Sequence, residues 1–188
     1  MSAGAIQIQT LTSGGATDKS YIWVPASEAG DYGLEGEGWL DNDEGSAAVK
    51  TFADGEGFLT SNDFGDGATI TFAGQVPTAA TEFVIPNNFA VAGNCTPANV
   101  DIQSIVVEGD GVSAGAIQIQ TLTSGGATDK SYIWVPASEA GDYGLEGEGW
   151  LDNDEGSAAV KTFAPGEGFL TSNDFGEGAM LKIPSPVL

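Results

Sequence analysis

Residues 2–68 recur almost letter for letter as residues 113–179, an offset of 111 residues. Only two positions in the stretch differ: Asp54 stands opposite Pro165, and Asp66 opposite Glu177. Self-similarity at a fixed period marks a repeat architecture and constrains the fold more than any local pattern. The period here is that of a small domain, so the unit is a module rather than one coil of a solenoid. The second copy is preceded by residues 77–112, whereas Met1 alone precedes the first. The sequence therefore reads as an incomplete module over residues 1–76 and a complete one over 77–188. Met1-Ser2-Ala3-Gly4 enters the strand pattern with no leader-type segment, and a chain trimmed at its start, or an expressed fragment of a longer one, is expected.

Strand signals run throughout the full module. Thr81-Glu82-Phe83-Val84-Ile85, Phe89-Ala90-Val91-Ala92 and Ile102-Gln103-Ser104-Ile105-Val106-Val107 are short apolar or alternating runs. Pro86-Asn87-Asn88, Gly93-Asn94 and Glu108-Gly109-Asp110-Gly111 punctuate them as turns. In Ala116-Ile117-Gln118-Ile119-Gln120-Thr121 the isoleucines share one face and the glutamines the other, the period of a half-buried strand. Ser131-Tyr132-Ile133-Trp134-Val135 is apolar on both faces, which predicts a central strand ended by Pro136. Ala137-Ser138-Glu139-Ala140 reads as a single helical turn. Trp150-Leu151 and Ala158-Ala159-Val160-Lys161-Thr162-Phe163 flank an acidic turn and read as a hairpin. Phe169-Leu170-Thr171 follows a Pro-Gly turn, and Ala179-Met180-Leu181-Lys182-Ile183 closes the module. The expectation is an all-β chain: antiparallel β-sandwich or jelly-roll-like modules in tandem, about eight or nine strands per complete module, the first copy incomplete.

The closing strands differ between the copies. The first is expected to run on through Thr69-Ile70-Thr71-Phe72 and Ala73-Gly74-Gln75-Val76 into the next module. The second meets Pro184 and Pro186, which withhold amide donors and read as a stop to an array. The phrases Thr162-Phe163-Ala164-Pro165-Gly166-Glu167-Gly168-Phe169 and Val91-Ala92-Gly93-Asn94-Cys95-Thr96-Pro97 resemble repeat modules of large, uncharacterised secreted bacterial surface proteins. That resemblance implies an extracellular β-module and brings no catalytic residues with it.

The charge narrows the partners. Twenty-seven acidic residues face five lysines, for a net charge of −22, with no arginine and no histidine. Such a surface repels phosphate, which argues against nucleic acid and against anionic membranes. It suits a salty or calcium-containing medium, where screening relieves self-repulsion. Without histidine, the usual general base and the usual catalytic zinc ligand are missing, and no enzyme is expected. Cys95, the lone cysteine, reads as a small buried hydrophobe. Asn94-Cys95-Thr96 has the form of a glycosylation sequon, but Pro97 follows, and the match is read as chance.

Calcium is the candidate ligand for the acidic hairpins, since it takes oxygen ligands from flexible loops. The residues concerned are Asp41, Asp43 and Glu44, with Asp152, Asp154 and Glu155 in the second copy. The order Asp41-x-Asp43-x-Gly45 departs from an EF-hand loop, because Gly45 stands where a ligand belongs. Trp23, Trp39, Tyr21 and Tyr32, and their repeats, raise the alternative of a carbohydrate-binding module that stacks polysaccharide on exposed rings. The favoured expectation is a structural protein that assembles with itself into a filament or surface array. A sandwich lacking the strands of residues 77–112 exposes edges and core, and strands lent by another module would cover them. The expected donor is the stretch 83–107, with Phe83, Val84, Ile85, Phe89, Val91, Ile102, Ile105 and Val107 as its contact residues.

Overall fold

Alternation and glycine punctuation carry the chain into strands, and the computed structural model describes residues 1–63, 65, 67–71, 77–176 and 178–185. Copy one contributes β1 (Ile6–Leu11), β2 (Thr17–Val24), β3 (Gly38–Asp41), β4 (Ser46–Ala47) and β5 (Leu59–Asn62). The connecting segment supplies β6 (Thr81–Val84), β7 (Asn88–Gly93), β8 (Val100–Asp101) and β9 (Val106–Glu108). Copy two holds β10 (Ile117–Leu122), β11 (Thr128–Val135), β12 (Gly149–Asp152), β13 (Ser157–Ala158), β14 (Thr162–Phe163) and β15 (Gly168–Asn173), and β16 (Met180–Ile183) closes the fold. Short 3-10 turns occupy Ala29–Tyr32, Ile102–Ser104 and Ala140–Tyr143. Among the described residues no helix is long and apolar enough to cross a membrane.

Copy two and the connecting segment form one antiparallel, sandwich-like unit. A six-stranded sheet runs in the order β13-β12-β11-β10-β15-β7, and a three-stranded sheet in the order β6-β16-β9. Ile117, Ile119, Tyr132, Trp134, Trp150, Phe163 and Phe169 meet Ile85, Ile102, Ile105, Val107, Leu181 and Ile183 in a single core. The opposite face of the large sheet carries a smaller cluster of Val135, Ala140 and Leu151, capped by Leu145. Tyr132 and Trp134 thus point one way while Ile133 and Val135 point the other, and β11 lies inside the sheet between β10 and β12. Copy one repeats the large sheet in the order β4-β3-β2-β1-β5, one strand fewer.

Several local expectations are corrected. Residues 102–107 were expected as one strand, but Asp101 accepts the N–H of Gln103 at 2.9 Å and turns Ile102–Ser104 into a 3-10 turn. Only Val106–Glu108 remains strand, because this capping geometry outcompetes β propensity. The helical turn falls at Ala140–Tyr143, later than the expected 137–140. The second hairpin strand is broken: β13 pairs with β12, whereas β14 leaves to pair with β8. With these short strands counted, the second unit holds eleven, β6 to β16, rather than eight or nine. Thr69, Ile70 and Thr71 are not strand. Their counterparts in β16 pair on both sides, with β6 and β9, and among the described residues copy one has neither neighbour. Residues 72–76, expected to continue that strand, and residues 186–188, expected in the proline stop, lie outside the described residues.

Candidate assembly site

Residues 77–112 cover copy two in three ways. β7 lies along the outer edge of β15, in register from Gly168↔Gly93 to Asn173↔Asn88. β6 and β9 flank β16, where Lys182 Nζ sits between Glu108 at 3.0 Å and Glu82 at 3.4 Å. Those two carboxylates, Glu108 first, raise the lysine pKa above its ordinary value. The turn at Ile102–Ser104 then presses onto the tryptophan face. The Trp150 indole N–H donates to the Ile105 carbonyl at 2.7 Å. The Gln103 amide donates to the carbonyls of Trp150 and Ala159 at 2.7 and 2.9 Å, while its oxygen accepts the Trp150 backbone N–H at 3.0 Å. The fit leaves no space at Gly149, where a Cβ would stand 2.7 Å from Gln103 Oε1.

The same surfaces recur in copy one without that cover. β5, the counterpart of β15, is the edge strand of its sheet, with no strand on its far side among the described residues. Thr60, Ser61 and Asn62 are exposed, whereas their repeats Thr171, Ser172 and Asn173 are buried. Trp134 and Trp150 are 2% and 0% exposed, while Trp23 and Trp39 are only partly buried. Among the described residues no acceptor faces the Trp39 indole, and a Cβ on Gly38 would meet nothing within 4 Å. A cavity of about 270 Å³ opens here, its lining including Ile8, Tyr21, Trp39, Ala48, Phe52 and Ile70. Among the described residues copy one therefore presents an open β-edge beside an incompletely covered apolar face. The closing strand differs too: Thr71 stands where copy two has Lys182.

The expected donor residues lie in their own chain's second unit. Ile85, Val91, Ile102, Ile105 and Val107 are buried there, and Phe83 packs against the same core. Val84 and Phe89 remain exposed, at 67% and 37%. β7 also does something that its sequence does not announce. Its far edge bonds to copy one: Phe89 N–H to Ser13 O at 2.8 Å, Gly57 N–H to Val91 O at 2.8 Å, and Gly93 N–H to Gly55 O at 3.1 Å. One strand thus uses both edges, joining copy two along β15 and copy one at two loops. Gly57 allows this approach, since a Cβ there would stand 2.6 Å from Val91 Cγ1.

The acidic hairpins are built around lysines. Asp41 Oδ1 accepts the N–H groups of Asp43 and Glu44 at 3.0 and 3.1 Å, while Asp41 Oδ2 and Glu44 Oε1 hold Lys19 Nζ at 3.2 and 3.0 Å. Asp152, Asp154, Glu155 and Lys130 repeat the arrangement. Burial works against ionisation of both aspartates. The backbone donors and the lysines outweigh it, and both carboxyls fall below their ordinary range. Glu44 and Asp41 in turn raise Lys19, and Glu155 and Asp152 raise Lys130. Among the described residues no three acidic, cysteine or histidine side chains converge as a metal site.

The tryptophans do not form a flat platform, while Tyr32 and Tyr143 are exposed at 39% and 38%. Trp23 and Trp39 meet edge to face, 5.5 Å apart at 71°, as Trp134 and Trp150 do at 5.4 Å and 65°. That geometry counts against stacking on sugar rings. Asn94, 2% exposed, is the internal tie of its loop: its amide bonds Ala98 O and Phe163 O, and its oxygen accepts from Thr96. Cys95 is partly buried, its sulfur 3.2 Å from the Thr81 hydroxyl. From the sequence Asn94 reads only as part of a turn and of a chance sequon, and Gln103 only as part of a strand. A polar residue inside an apolar run was the signal available for Gln103. No family model, curated protein or solved structure matches the chain.

Proposed function

We propose that this chain is a non-enzymatic, extracellular structural repeat protein that joins modules into an array by β-strand complementation. Copy one is the acceptor. A segment of the kind found at residues 77–112, carried by a neighbouring module, lies along β5, packs on the Trp23–Trp39 face and closes the sandwich. One observation carries this reading: a surface of the same sequence, in copy two, is covered by such a segment over its edge and its face. Matching residues offer matching hydrogen bonds and pockets, so what satisfies one copy fits the other. The high negative charge deters random association and leaves a specific edge as the route to assembly.

The test supplies the missing segment covalently. A second copy of residues 77–112 placed ahead of Ser2 should dock on copy one. Tryptophan emission should shift to the blue, and copy one should gain stability towards urea. An attached segment that stays solvent-exposed and leaves emission unchanged would defeat the reading.

A further inference from the structure

We infer that a glutamine amide entering the socket of Gly38, Trp39 and Ala48 is the main recognition element of the segment that closes copy one. This rests on the complementation reading and adds the way the segment is recognised.

The socket states what that segment carries. In copy two, Gln103 makes three hydrogen bonds to the backbone of Trp150 and Ala159, and Ile105 O receives the indole N–H. Copy one holds the counterparts, Trp39 and Ala48, with the Ala48 N–H bonded to Trp39 O at 2.8 Å as in copy two. A glutamine is suited to this place because its amide presents donor and acceptor together, matching a backbone N–H beside two carbonyls. Gly38 leaves the space that the amide oxygen fills against Gly149. The partner is thus a segment of short strands with a Gln-x-Ile turn between them.

The experiment titrates a synthetic peptide of residues 77–112 into the full chain, read by tryptophan emission and calorimetry. The expected result is one site per chain, with tighter binding as salt screens the acidic partners. A peptide carrying Gln103→Leu should bind about 10- to 100-fold more weakly, the loss of two or three hydrogen bonds at an otherwise apolar contact. Gly38→Val in the chain should weaken the unaltered peptide similarly. Nothing crowds Gly38 in the open copy, so its folded state should be unaffected by circular dichroism. Equal affinity for both peptides, together with indifference to Gly38→Val, would overturn the glutamine socket while leaving complementation standing. No binding of the unaltered peptide at any salt concentration would overturn both.

Discussion

The same substitution placed in the two copies should cost very different amounts, and Trp150→Phe against Trp39→Phe is the sharpest pair. At Trp150 the ring is fully buried and its N–H donates to Ile105 O. Phenylalanine leaves that carbonyl without a donor beside a residue that is 1% exposed. An orphaned buried acceptor costs about 1–3 kcal/mol. The smaller ring adds about 1–2 kcal/mol of lost packing. At Trp39 the ring is partly exposed and no acceptor is lost, so about 0.5–1 kcal/mol is expected. Trp150→Phe should therefore be the more destabilising by at least about 1 kcal/mol, most of it from the hydrogen bond. Urea unfolding followed by far-ultraviolet circular dichroism measures both, and if the copies unfold in two steps each variant is compared on its own transition. In a chain with a second 77–112 segment ahead of Ser2, the two costs should become equal. Equal costs in the unaltered chain would refute the reasoning, because they would mean that copy one is already closed.

Gly57→Ala would place a methyl 2.6 Å from Val91 Cγ1, whereas a methyl at the repeat position Gly168 would stand 3.5 Å from Ala92 O, an ordinary contact; the first should speed exchange of the Gly93 amide that bonds copy one, and the second should not. Asn94→Ala removes the tie among Ala98, Phe163 and Thr96 and should destabilise the second unit by about 2–4 kcal/mol in urea. Asp41 and Asp152 have depressed carboxyl pKa values, so their stabilisation is present above the ordinary 3.8 and is lost as pH falls through the lower folded value. A double Asp→Asn variant should therefore show a flatter acid limb, and calcium and magnesium at matched ionic strength should raise the melting temperature of the unaltered chain equally, since lysines occupy the carboxylates. Thr71→Lys restores the cation of copy two's closing strand and should strengthen binding of the 77–112 peptide a few-fold.

Most of the sheet was legible in the sequence, because period-two patterns such as Ile117-Gln118-Ile119-Gln120 and the doubly apolar Tyr132–Val135 run leave a strand few alternatives. The pairs that decide the assembly site were not. Residues 69–71 and 180–182 both follow the alternation of a closing strand, yet only the second group is strand, because its hydrogen-bond partners β6 and β9 are present. Thr51-Phe52 and Thr162-Phe163 are the same dipeptide, and only the latter pairs, because β8 lies beside it. Neighbour supply, rather than local preference, sets these outcomes. The turn at Ile102–Ser104 was hidden by its β-branched surroundings, and the Gln103 contact depends on residues 47 and 56 positions away. The acidic runs were legible as clusters but not as lysine-centred ones, since Lys19 lies on the neighbouring strand β2.

The most direct test of the account compares one amide in each copy. The bonds from Phe89, Val91 and Gly93 to copy one leave the even-numbered residues of β7 facing β15, so the Thr171 N–H points at Ala90. Its repeat, Thr60, lies on the open edge of β5. Hydrogen exchange followed by nuclear magnetic resonance should find Thr60 exchanging at least about 100-fold faster than Thr171, and a second 77–112 segment ahead of Ser2 should bring the two rates together. Equal protection of Thr60 and Thr171 in the unaltered chain would contradict the claim that copy one is an open acceptor.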